Sequence, residues 1–126
     1  MANGTYMLPA FGDGSSYVKI ADGTLIQWGF QGVVISPGSS YVDATVTYPV
    51  AFHSSTNVPY VIVSNAAYSD GGTGSQANVC IPTATNLNNS STKLTSFKLR
   101  VWKQQSVGTQ WEPEPTIAWV AIGRWK

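Results

Sequence analysis

The sequence predicts an all-β domain, an antiparallel β-sandwich of about six to seven strands, and three features carry that reading. Helical periodicity is nearly absent. Apolar–polar alternation and β-branched clusters recur along the chain, and groups of Gly, Pro, Ser and Asn interrupt them about every 10 to 15 residues. At 126 residues the chain suits a single domain with one core.

The first strand is expected over residues 17–20 (Tyr-Val-Lys-Ile), and Ala21-Asp22-Gly23 supplies a hairpin turn with Gly where a positive φ is needed. The return, Thr24 to Phe30, sets Ile26, Trp28 and Phe30 on one face because side chains alternate. Ser36-Pro37-Gly38-Ser39-Ser40 breaks the pattern. A third strand follows over roughly 43–48 and closes at Tyr48-Pro49, since proline cannot donate to a ladder; Phe52 to Asn57 then read as a loop. Tyr60-Val61-Ile62-Val63-Ser64-Asn65 is apolar on both faces at its start, the pattern of a central strand.

Residues 69–76 hold three glycines and no apolar side chain, so they read as a loop available for outside contact or as an exposed connector. A strand near 76–81 is expected to end at Pro82, with a polar stretch from Thr83 to Thr92 after it. Phe97 to Lys103 alternates strictly. Phe97, Leu99 and Val101 point one way, and Lys98, Arg100 and Trp102 the other. Glu112-Pro113-Glu114-Pro115 forms a short extended lead into the last strand, Ile117 to Arg124. Trp, Val and Ile on both faces of that strand demand cover from a sandwich core or from a neighbouring subunit.

Charged residues make up only 10% of the chain against roughly 25% in ordinary soluble domains, so Ser, Thr, Asn, Gln and Gly must form much of the surface. Such a surface suits sugars better than nucleic acid. A net charge of +1 supplies no global field for a phosphate backbone, and no nucleic-acid partner is expected. The balance is nonetheless uneven, −3 over residues 1–92 and +4 over residues 93–126, which suits either solvated strand faces or complementary edges and an anionic polysaccharide. Cys80 is the only cysteine, and its neighbours Val79 and Ile81 mark a buried, inert thiol. No signal peptide and no run of 18 apolar residues is visible, so membrane insertion is not expected; Met1-Ala2-Asn3-Gly4 fits a cut from a longer chain.

Catalytic constellations are missing. His53 is the only histidine and no G-x-S-x-G elbow accompanies it, which argues against a nucleophilic triad. One His and one Cys cannot close a zinc site, and Glu112 and Glu114, the only close carboxylate pair, each precede a proline in an exposed-looking segment. Neither enzymatic activity nor a metal or cofactor is expected. Binding chemistry remains. Sugars stack their C–H faces on aromatic rings and pair their hydroxyls with amides and carboxylates. Trp102 and Trp111 are the stacking candidates, Tyr68 and Asp70 beside the glycine loop supply a second ring and an acceptor, and Gln76 and Gln104 add amides in the same loops. Trp102 carries a second reading, as part of a subunit interface.

Two stretches carry a family likeness. Tyr17 through Gly29 (YVKIADGTLIQWG) resembles the opening hairpin of the C-terminal domains of bacteriophage tail fibres, and Ile117 to Arg124 (IAWVAIGR) is similar to their closing strand. Tyr48-Pro49, Phe52, Val58-Pro59 and Thr95-Ser96-Phe97 resemble the punctuation between them. The likeness spans residues 17–124. It implies an H-type-lectin-like sandwich assembled as a homotrimer, with the closing strand near the threefold axis and its Trp119 ribbon shielded by self-association, and residues 1–16 as a lead-in from a fibre shaft to a receptor-binding domain over 17–126. H-type lectins hold N-acetylgalactosamine with a basic residue on a central strand; Asn78-Val79-Cys80-Ile81 offers none, so that preference does not transfer. The expected role is a virion tail-fibre tip that attaches to a bacterial surface glycan. The rivals are a free-standing H-type-like lectin and a purely structural trimerisation or capping module.

Overall fold

A computed structural model of the chain describes residues 5–7, 15–36, 38–68, 80–103 and 115–126. Eight strands run through them: β1 (Thr5–Met7), β2 (Ser15–Ile20), β3 (Thr24–Gly32), β4 (Tyr41–Thr47), β5 (Tyr60–Tyr68), β6 (Cys80–Thr85), β7 (Ser96–Lys103) and β8 (Pro115–Arg124). They form two antiparallel sheets, a five-stranded one in the order β1-β2-β3-β8-β5 and a three-stranded one in the order β4-β7-β6. The expected all-β sandwich is therefore present. The pairing of β1 with β2 carries the large sheet into the segment read as a lead-in.

The core lies between the sheets, where alternate residues of facing strands meet. Phe97, Leu99 and Val101 of β7 turn inward against Ile117, Trp119 and Ala121 of β8, and all six are buried. An aromatic cluster fills one end. Phe97 and Trp119 meet edge to face with centroids 5.8 Å apart, and Tyr48 lies 4.8 Å from Phe52 in a second edge contact. Burial pushes the Tyr48 phenol pKa far up, and its hydroxyl has no partner among the described residues.

Gln27 is a fully enclosed polar side chain. The Gln27 amide donates to the Val50 carbonyl and accepts from the Val50 N–H, both at 2.8 Å, so it substitutes for a strand partner where the chain leaves the sheet. Gln27→Leu leaves both Val50 groups unpaired and is expected to cost about 2–4 kcal/mol, read as a shift of the chemical denaturation midpoint. A change below ~0.5 kcal/mol, the range of an ordinary surface substitution, would rule out this role.

The β2–β3 turn is where the C-terminal segment docks. Gly23 has φ 104°, the conformation glycine favours, and a Cβ there would also overlap the Arg124 guanidinium. The Asp22 carboxylate accepts from Thr24 N–H at 2.8 Å, Arg124 donates to the Asp22 carbonyl at 2.9 Å, and the Trp125 indole donates to the Ile20 carbonyl at 2.8 Å. Trp125 N–H adds a bond to the Gly23 carbonyl. These contacts fix the end of β8 on a turn about a hundred residues earlier in the chain.

Three sequence expectations need correction. β6 runs through Pro82 to Thr85 instead of ending at Pro82; it is an edge strand, and an edge tolerates proline when the missing N–H faces away from the ladder. β5 closes an edge of the large sheet and is not central: Val61 and Val63 pack on the core, while Tyr60 and Ile62 on the other face are 76% and 64% exposed. Trp119 is enclosed by its own sandwich, at 3% exposure, without a neighbouring subunit. The apolar face of β8 left open is the opposite one, Ala118, Val120 and Ile122.

Candidate functional site

The two sheets present outer faces of different chemistry. On the large sheet, register places Ile26, Trp28 and Phe30 of β3 beside Ile122, Val120 and Ala118 of β8, and Tyr60 and Ile62 of β5 beside Ile122 and Val120. This surface is apolar across three strands. Phe30, Tyr60 and Ile62 are each more than half exposed, a contiguous patch of the kind that marks an interaction site.

The small sheet is aromatic and polar outside. Its register sets Tyr41, Trp102 and Ile81 in one row, Asp43, Arg100 and Thr83 in the next, and Thr45, Lys98 and Thr85 in the third. Tyr41 and Trp102 pack with centroids 4.9 Å apart, inclined at 51°. The Arg100 guanidinium lies 4.0 Å from the Tyr41 ring centre and 5.5 Å from that of Trp102, a cation held on aromatic faces. Asp43 fixes it there through two parallel bonds, Arg100 Nε to Oδ1 at 2.7 Å and Nη2 to Oδ2 at 2.8 Å. Arg100 holds the Asp43 carboxyl below the usual carboxylate range, and Asp43 in turn raises the guanidinium pKa.

The platform thus combines a pre-formed aromatic pair with a carboxylate and a guanidinium whose orientations are set. Trp102, at 37% exposure, keeps ring surface available to solvent. A sugar could stack on that ring and pair hydroxyls with the remaining lone pairs and N–H groups of the ion pair.

Of the six residues singled out from sequence, Trp102 stands on this platform, on the outward face that its alternation predicts. Tyr68 ends β5 opposite Pro115, on the other sheet. Asp70, Gln76, Gln104 and Trp111 lie outside the described residues. Tyr41, Asp43 and Arg100 were not among the six. The signal for Arg100 was its place two residues from Trp102 on the same face; for Tyr41 and Asp43 it required the β4–β7 register.

Cys80 is buried as expected, and burial raises its thiol pKa, in keeping with an unreactive side chain. Its carbonyl accepts from the Asn65 amide at 3.0 Å, which ties the edge strands of the two sheets together beside a bulge in β5.

A family model described as "Putative tail fiber protein gp53-like, C-terminal" matches residues 19–124. No curated protein sequence matches the chain. Two solved structures share its fold. One is the C-terminal part of the R1 pyocin fibre of P. aeruginosa, at 19% identity and a TM-score of 0.65, covering 95% of this chain and 28% of that one. The other is an N-truncated R1-type pyocin tail fibre, at 18% identity and a TM-score of 0.66, covering 95% of this chain and 85% of that one. The chain therefore spans little more than a quarter of the first fibre fragment.

Proposed function

The chain belongs to the gp53-like tail-fibre C-terminal family, and on that premise we propose that it forms the tip of a homotrimeric phage or prophage tail fibre, attaching the virion to a bacterial surface glycan without catalysis. The observation that carries this reading is the division of labour between the outer faces: an apolar one suited to a second and third copy of the chain, and an aromatic–polar one suited to sugar. Threefold assembly would bury Tyr60, Ile62 and Phe30 and leave the small sheet outside. It would also present three sites together, which can raise avidity by roughly 100-fold to 10,000-fold over a single weak site. An upstream fibre shaft would carry the domain, and the virion surface would be its location.

A purely structural role is the reading that competes, favoured by the way Asp43 and Tyr41 already engage Arg100. Cell binding separates the two. The labelled domain is expected to bind cells of a susceptible strain and a glycan array, and Trp102→Ala to weaken binding about tenfold, as loss of one stacking ring at 1–1.5 kcal/mol implies. Retained binding in Trp102→Ala, with loss in Trp111→Ala or Asp70→Ala, would move the site to the loops. Absence of binding to any cell or glycan would leave the structural module.

A further inference from the structure

At the opposite end of the small sheet from Trp102, a cleft of about 160 Å3 opens where β4 and β7 meet the turns after β6. Its walls are Thr45, Asn86, Asn89, Thr92, Ser96 and Lys98, above the buried Phe97. We propose that this cleft is a binding site for one acidic sugar unit, a pyranose ring bearing a single anionic group; the inference rests on the glycan reading above and adds the position and charge of a subsite.

Size comes first. The space falls below the roughly 300 Å3 at which drug-sized pockets begin, so it suits one ring.

The lining groups are available. Among the described residues, the Thr45 and Ser96 hydroxyls and the Asn86 amide make no side-chain hydrogen bond, and Lys98 makes no ion pair. Asn89 accepts from Ser91 N–H at 3.0 Å and from Ser91 Oγ at 2.7 Å through Oδ1 alone, which orients its amide and leaves Nδ2 as a donor. Asn86 sits at φ 59°, a left-handed turn position that asparagine tolerates, and so marks the corner of the cleft. Hydroxyls and amides that both donate and accept match a polyol. A bare phosphate site would call for several cations or a nest of backbone N–H groups, and only one ammonium lines this cleft.

Charge supplies the anionic preference. Residues 80–103 contain Lys93, Lys98, Arg100 and Lys103 and no Asp or Glu. Asp43, the acid facing β7 from β4, holds Arg100 by two bonds and feels Lys98 only through space and more weakly, so one carboxylate stands against two cations here. Lys98 is therefore the surplus positive charge of this face. Lys98 and Trp102 are four residues apart on one side of β7, about 14 Å at ~3.4 Å per residue, so one glycan chain a few sugars long could occupy both ends.

The test is an NMR titration of the full chain, labelled with 15N, with sodium D-glucuronate, D-glucose and inorganic phosphate as probes. Glucuronate is expected to shift the backbone amides of Asn86, Asn89, Ser96 and Lys98 to saturation at millimolar concentration, at least about tenfold more tightly than glucose or phosphate. Lys98→Gln should bring glucuronate down to the glucose level with the spectrum otherwise intact. Shifts elsewhere on the surface, equal binding of phosphate, or an unchanged glucuronate titration in Lys98→Gln would each overturn the proposal. A saturating cleft in a domain that binds no cells would sink the attachment role and leave the site standing. A domain that binds cells through Trp102 but ignores glucuronate would do the reverse.

Discussion

Trp119→Ala is expected to destabilise the domain by about 3–5 kcal/mol, the usual consequence of deleting a large aromatic from a packed core. Trp119 is 3% exposed and meets Phe97 edge to face at 5.8 Å and Tyr48 at 6.1 Å, so its removal empties a space that these two rings help to define. Against a total stability of about 5–15 kcal/mol this is a large share, and the thermal midpoint should fall by roughly 10–25 °C. Because subunit association stabilises a folded state by mass action, the comparison belongs in a background that does not associate. A midpoint within a few degrees of the parent there would mean that Trp119 does not organise the core.

Ile62→Glu supplies that background and makes the second large prediction. Ile62 is 64% exposed on an edge strand, so a carboxylate there meets water in the single chain and should alter its stability by no more than ~0.5 kcal/mol. In a trimer that buries this face, the same carboxylate would lose its water without gaining a partner. A cost of about 3 kcal/mol per subunit weakens each contact roughly 100-fold. Sedimentation equilibrium should show a trimer for the parent chain and a folded monomer for Ile62→Glu. A parent that stays monomeric at tens of micromolar, or a variant that still forms trimers, would separate the apolar face from self-association.

The contrast between these substitutions also shows what could be read from the chain. Local alternation identified the inward and outward residues of β7 correctly, from Phe97 to Trp102, and the Asp-Gly turn placed the β2–β3 hairpin, because both depend on neighbours in sequence. Sheet order could not be read in this way. Tyr60 to Val63 is apolar on both faces whether the second face meets protein or solvent; the three-dimensional arrangement alone reveals that β5 is an edge strand and that its outer face meets solvent. Pro82 looked like a terminator for a related reason: whether a missing N–H matters depends on a neighbour that sequence does not specify.

The candidate site was legible to the same degree. Trp102 and its outward direction followed from periodicity, whereas its partners lie across the sheet. Asp43 and Arg100 are 57 positions apart, and nothing short of the β4–β7 register brings them together. The cleft beside Lys98 is subtler still. Its walls come from the paired strands β4 and β7 and from turns whose polar residues resemble an ordinary linker.

The place of β8 between β3 and β5 has a consequence for biosynthesis. During translation, β3 emerges with its partner β2, but the ribbon that must zip between β3 and β5 is made after the other seven described strands. Until the ribosome has released it, the nascent polypeptide holds two unmatched ladders and half a hydrophobic interior, a state prone to clumping. Closure of this sheet therefore waits for β8, and a ribosome stalled just upstream of Pro115 should yield an aggregation-prone, chaperone-dependent product instead of a smaller stable unit.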